Sequence, residues 1–146
     1  MILGVGVDVV GLEGFHEQLS DKASSFVKGS FTEGEQRTIA SRPARDKTPY
    51  FAGRYAAKEA FLKAWSVSRA GHTPVMSSVQ FTDVEVINDQ WGRPTISLHG
   101  EVRRLFFSGP AQPRIHLSIS HDGPVATAFV VLEESQQASW EESENE

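Results

Sequence analysis

The chain opens on an alternation. From 2 to 10, ILGVGVDVV, Leu3, Val5, Val7 and Val9 fall on one face, and Ile2, Gly4, Gly6, Asp8 and Val10 on the other. That period of two predicts a strand. Asp8 therefore follows two glycines on its own face. Glycine inside a strand marks a close approach or an irregularity, so this face is cleared for a ligand beside the carboxylate, or the glycines mark a bulge or a tight strand-helix crossing. At 51–65, FAGRYAAKEAFLKAW, strong helix formers take over, with Gly53 the only interior breaker. At about 100° per residue, Ala52, Ala56, Glu59 and Lys63 share one stripe and Arg54 and Lys58 a neighbouring one, while Phe51, Tyr55, Leu62 and Trp65 supply apolar bulk. One carboxylate thus sits on a face of methyl groups.

Weaker patterns fill the rest. Residues 11–28 are weakly helical, and Thr32 with Glu35 forms a capping-box signature for a short helix to Ala40. The segment 42–49, with two prolines and four charges, reads as a loop, as does 67–78. Strands are expected over 79–88 and 94–99, joined by DQWGR, then a short helix over 101–107. A second hairpin pairs 114–120 with 125–132 across His121, Asp122, Gly123 and Pro124. No regular βαβ rhythm appears, so the predicted class is α+β, a mainly antiparallel sheet packed with one long and several short helices.

At 146 residues, 39% apolar and 23% charged, the chain has the size and composition of one globular domain. The absence of cysteine excludes thiolate chemistry and cysteine-type zinc sites, leaving oxygen or histidine ligands for any metal. The apolar start lacks a basic flank and is broken by Asp8, which argues for a strand and against a signal peptide. A cytoplasmic protein with no membrane segment is expected. Charge is segregated: residues 22–72 hold ten basic and four acidic groups, inside a chain of net charge -5. The last fourteen residues carry six acids and no base, so 134–146 is expected to be a disordered acidic tail following a domain at 1–133. A basic middle favours an anionic ligand bearing phosphate, or an acidic protein. No arginine-rich stripe with interleaved aromatics points to nucleic acid.

Two carboxylates stand out. Asp8 on its strand and Glu59 on its helix, with Lys63 one turn on, have the chemistry of a magnesium and phosphate site, because magnesium takes few carboxylates and keeps water and phosphate oxygens. The same residues also fit a structural account in which Asp8 caps the next helix and Glu59 pairs with Lys63. Ser120 and His121, in the run SISHDG, offer donors suited to a phosphate, or a solvated turn.

The segments GVGVDVV at 4–10, FAGRYAAKEAFLKAW at 51–65, VEVINDQWGRP at 84–94 and IHLSISHDGPVATAFVVLE at 115–133 together resemble the holo-acyl-carrier-protein synthases, the small stand-alone 4'-phosphopantetheinyl transferases, most closely their actinobacterial members. The resemblance implies a homotrimer. It also implies transfer of the phosphopantetheine arm of coenzyme A to a serine of an acyl carrier protein, with magnesium held by Asp8 and Glu59 and Lys63 stabilising phosphate. Coenzyme A would lie between subunits, near Arg54, Lys58, Arg93, Pro94, Ser120 and His121. One departure is the first helix, GLEGFHEQLSD, with three acids and no base. It implies docking through Phe15 and Leu19, with charge from Lys22, Lys28 or the 42–47 loop, and a less acidic partner such as a carrier domain of a multidomain fatty acid synthase. The alternatives are another magnesium-dependent phosphoryl or nucleotidyl transferase, and a non-catalytic coenzyme A-binding module.

Overall fold

In the computed structural model, which describes residues 1–135, the chain runs β1 (Ile2–Gly11), α1 (Leu12–Ser20), α2 (Phe26–Ser30), α3 (Glu33–Ala40), α4 (Thr48–Ser68), a 3-10 turn (Phe81–Asp83), β2 (Val84–Asn88), β3 (Pro94–Leu98), α5 (Gly100–Phe106), β4 (Pro113–Asp122) and β5 (Val125–Glu134). Strands β1, β5 and β4 form one antiparallel sheet in that order, and β2 and β3 form a separate antiparallel hairpin. The α+β expectation holds. Most of the expected acidic tail, 136–146, lies outside the described residues; Glu134 still belongs to β5, and the Ser135 N–H donates to the Gln112 carbonyl at 3.2 Å.

Helix α4 crosses one face of the three-stranded sheet, and the crossing explains both the alanines and the glycines. Ala52, Ala56, Ala60 and Ala64 are fully buried. A Cβ on Gly4 would stand 2.2 Å from the Ala64 carbonyl oxygen, and one on Gly6 would stand 2.0 Å from that of Ala60. The glycine face of β1 is cleared for the α4 backbone and not for a ligand. On the far side of α4, Phe61 packs with Val84, Val86, Leu98, Val102 and Phe106. Towards its N-terminal end, the aromatic rings of Phe15, Phe26, Phe31, Phe51 and Tyr55 close a second cluster.

Boundaries differ from expectation where local chemistry intervenes. Helix α4 begins at Thr48, inside the expected loop, because Pro49 occupies the first turn, where a missing N–H forfeits no helical bond. Residues 81–83 make a 3-10 turn in place of strand, and the Phe81 carbonyl accepts from Lys58 Nζ at 2.9 Å. The capping box forms as expected: Thr32 Oγ1 accepts the Glu35 N–H at 3.0 Å, and Glu35 Oε1 accepts the Thr32 N–H at 2.9 Å. Among the described residues no helix is long and apolar enough to cross a membrane.

Candidate active site

Strand β1 and helix α4 bring Asp8, Glu59 and Lys63 to one open groove, completed by Gly14, Phe15 and Gln18 of α1 and by Tyr55. Lys63 Nζ donates to Asp8 Oδ1 at 2.9 Å and to the Val7 carbonyl at 3.2 Å. Lys63, on the surface, is held firmly protonated, first by its hydrogen bond to Asp8 and then by that charge. Glu59 responds the other way. Burial pushes its carboxyl above the ordinary range and the negative charge of Asp8 pushes it further, against the pull of Lys63 and the Tyr55 hydroxyl. The Tyr55 hydroxyl in turn is raised by burial and by the charges of Glu59 and Asp8. Two carboxylates held within each other's field, with one ammonium at the rim, form a hard all-oxygen donor pair. Such a pair suits a divalent cation that keeps water and takes substrate phosphate oxygens, as magnesium does. Among the described residues no group of three or more His, Cys, Asp or Glu gathers around one point, so the protein itself would supply these two ligands.

A second groove lies where α4 meets the two hairpins, lined by Arg42, Tyr50, Gly53, Arg54, Asn88, Pro94 and His121 among others. Arg54 is only 5% exposed, yet its Nε has no hydrogen-bond partner. Its other nitrogens donate to Asn88 Oδ1 at 2.7 Å and the Tyr50 carbonyl at 3.3 Å. An unsatisfied buried guanidinium N–H is costly and marks a place where an anion would be welcome. His121 Nε2 lies 2.8 Å from the Pro49 carbonyl, so that nitrogen carries the proton and the ring is fixed against α4. Gly53 permits this contact, since a Cβ there would stand 2.8 Å from His121 Nε2. The interior helix breaker noted in the sequence thus has a packing reason.

Residues 4–141 match the sequence model of the 4'-phosphopantetheinyl transferase superfamily, ACPS. The chain belongs to this superfamily. A holo-[acyl-carrier-protein] synthase of Nocardia farcinica is 43% identical over 133 residues, spanning 91% of this chain and 88% of the relative. One from Mycobacterium ulcerans is 40% identical over 134 residues, spanning 92% and 98%. Among solved structures, an ACPS-CoA complex of Chronobacterium ammoniagenes superposes with a TM-score of 0.82 at 42% identity, covering 91% of this chain and 98% of that one. A Bacillus anthracis holo-(acyl-carrier-protein) synthase in complex with CoA (3',5'-ADP) gives 0.69 at 34%, covering 92% and 99%. The resemblance read from the sequence motifs therefore holds. The chain is an enzyme of the holo-acyl-carrier-protein synthase type with the 4'-phosphopantetheinyl transferase fold, and actinobacterial synthases are among its relatives.

Within this synthase fold the expected site residues separate into three groups. Asp8, Glu59 and Lys63 meet in the first groove, and Arg54, Pro94 and His121 meet in the second. Ser120 points to the outer sheet face, opposite Thr127, and Arg93 is bound at the β2–β3 tip by Asp89 at 2.6 Å. Lys58 departs from expectation. Its ammonium is wholly buried and paired with Glu35 at 2.7 Å, so it turns into the core and lines neither groove. Phe15, expected to dock a partner, is 5% exposed and packs edge-on against Phe26, whereas Leu19 remains half-buried beside His16, Arg45 and Lys47. Sequence reasoning missed Tyr55, which looked like plain apolar bulk, and Tyr50 and Asn88, which no local pattern singles out; Arg42, expected in the docking loop, lines the second groove.

Proposed function

We propose that this chain transfers the 4'-phosphopantetheine arm of coenzyme A to a serine hydroxyl of an acyl carrier protein or carrier domain, converting it from apo to holo form for fatty acid synthesis. The observation that carries this reading is the Asp8, Glu59 and Lys63 cluster at the open rim between β1 and α4. The names of the relatives, holo-acyl-carrier-protein synthases, and the CoA bound in two solved ones support it.

Magnesium fits the donor pair of Asp8 and Glu59, and when bound it supplies neutralisation of charge on the transferring phosphate. The remaining work falls to the chain. The serine oxygen bonds to the phosphorus that bears pantetheine, and the bond from that phosphorus to the leaving phosphate oxygen breaks, releasing adenosine 3',5'-bisphosphate. The serine proton passes to Glu59 or to a water held beside it in the same groove. Lys63, exposed and charged, neutralises the leaving phosphate. Arg54, beside His121 on the second groove, receives the phosphates of the nucleotide.

The two grooves are separate in one chain, which favours a homotrimer whose subunits join them. The outer sheet face supports this: Val5, Val7, Val9 and Phe129 are 45%, 53%, 61% and 47% exposed and lie side by side on β1 and β5. A contiguous apolar patch of this kind marks an interaction surface. Ser120 on that face, and Arg93 at the hairpin tip, would then serve a nucleotide bound by a neighbouring subunit. For the carrier, Leu19 with Arg45 and Lys47, interrupted by Asp46, offers an apolar and weakly basic landing beside the acidic α1, which favours a weakly acidic carrier domain.

The deciding experiment incubates the protein with coenzyme A, magnesium and apo carrier proteins, both free and multidomain, and reads the carrier mass. A gain of one phosphopantetheine on the serine is expected, and it should vanish with Glu59→Gln while the circular dichroism spectrum stays unchanged. No mass gain on any carrier, or full transfer by Glu59→Gln, would sink the reading.

A further inference from the structure

Lys58 and Glu35 form an ion pair at 2.7 Å with both side chains wholly out of solvent. Neither lines a groove that the transfer chemistry uses. A buried pair is a poor source of stability, because desolvation of several kcal/mol per ion offsets the mutual attraction. What it contributes is fixed geometry, and here the geometry is complete. Lys58 Nζ donates to Glu35 Oε1 and, at 2.9 Å, to the Phe81 carbonyl, and it lies 5.4 Å from the centre of the Phe31 ring. Glu35 also accepts the Thr32 N–H at 2.9 Å and the Val86 N–H at 3.0 Å. The start of α3, the 3-10 turn, β2 and α4 therefore meet at one ammonium and one carboxylate.

Lys58 directly precedes Glu59 on α4. Successive helical side chains are set about 100° apart, so holding residue 58 into the core fixes the direction of residue 59. The glycine face of β1 sets the spacing between the two elements, and the rotation of α4 about its own axis is held by its buried alanines and Phe61, by the Lys63–Asp8 bond and by the Lys58–Glu35 pair. We infer that the Lys58–Glu35 pair is a positioning device for the cation site: it locks the rotation of α4 so that Glu59 stays aimed with Asp8 into the groove. The inference rests on the reading of Asp8 and Glu59 as cation ligands.

The test combines Lys58→Met with Glu35→Gln, which removes both charges, fills the space of the lysine stem and keeps an acceptor for one backbone N–H. Manganese binding is measured by calorimetry and by electron paramagnetic resonance, with melting temperature and assembly state as controls. A folded double variant with unchanged assembly should bind Mn2+ about 10-fold more weakly. Its transfer reaction should need correspondingly more Mg2+, with KM for coenzyme A unchanged. Glu35→Asp keeps both charges but draws the anchor back by one methylene, and should weaken Mn2+ binding about 3-fold; if the double variant fails to fold, this variant decides alone. Mn2+ affinity equal to that of the parent in any folded variant overturns the inference, even if transfer stays Mg2+-dependent. A parent that binds no Mn2+ beyond what Glu59→Gln binds overturns the cation reading beneath it.

Discussion

Lys63 Nζ stands 2.9 Å from Asp8 Oδ1, joining the C-terminal third of α4 to β1 across 55 positions of sequence. In the sequence the natural partner of Lys63 is Glu59, one turn away, yet the structure gives the lysine to the strand. Glu59 is thereby left with less compensation than Asp8, and burial with the charge of Asp8 raises its carboxyl. The site holds one paired and one weakly compensated carboxylate, an arrangement that a divalent cation would relieve.

Lys63→Ala removes an ion pair whose lysine is half-exposed and whose aspartate is largely covered, with a contribution to stability of about 1 kcal/mol. The melting temperature should therefore move little, while kcat for phosphopantetheine transfer falls about 100-fold, the scale for losing one charge-stabilising donor. Steady-state kinetics beside calorimetry check this. An unchanged kcat would return Lys63 to the role of a surface partner for Asp8.

Gly6→Ala should be among the most damaging single changes. The new methyl would lie 2.0 Å from the backbone oxygen of Ala60, and no flexible side chain is there to yield. Strand and helix must separate, at about 3 kcal/mol or more, and Asp8 moves with the strand. Urea unfolding should show a markedly lower midpoint. A midpoint within error of the parent would mean that the close crossing of β1 and α4 is wrong.

Phe129→Asp places a charge in the middle of the exposed apolar face, opposite Val7. The fold of the single chain should survive, because among the described residues this face stands largely exposed, outside both core clusters. The proposed homotrimer should not, and sedimentation should report a monomer with coenzyme A binding lost, if subunit contacts are what join the two grooves. A trimeric and active Phe129→Asp variant would remove the support this face gives to the assembly.

Glu85 sets an acid limit on stability. Burial by itself would raise its carboxyl, but hydrogen bonds from Thr32 and His99, with the charges of His99 and Lys58, outweigh burial and hold it below the ordinary range. A carboxyl depressed in the folded state stabilises fully above its unfolded value, about 4.3. That contribution disappears as pH falls through the folded value. Glu85→Gln should therefore lower the melting temperature near neutral pH and flatten its decline between about pH 5 and pH 3. Parallel declines for parent and variant would contradict the hydrogen-bonded account of this carboxyl.

The amphipathic periods of β1 and α4, the capping box at Thr32 and the final hairpin were all legible in the sequence, because each depends on neighbours within a few positions. Helix α4 proved longer, and residues 81–83 left the strand, because a proline and a buried lysine acted there. The motif residues Asp8, Glu59 and Lys63 could be named in advance; their meeting could not, since nothing in the spacing of residues 8 and 59 reports distance.

What the sequence determined by itself is the class of fold, the family and the small faces of β1 and α4, since local propensity and side-chain size are written position by position. Tertiary structure decided which functional group serves which task. Lys58 and Lys63 sit on the same helix with the same chemistry, yet one is sealed beside Glu35 and the other stands at the rim beside Asp8. The difference arises from burial and from partners contributed by α3 and β1, and desolvation with Coulomb attraction acts through space and not along the chain.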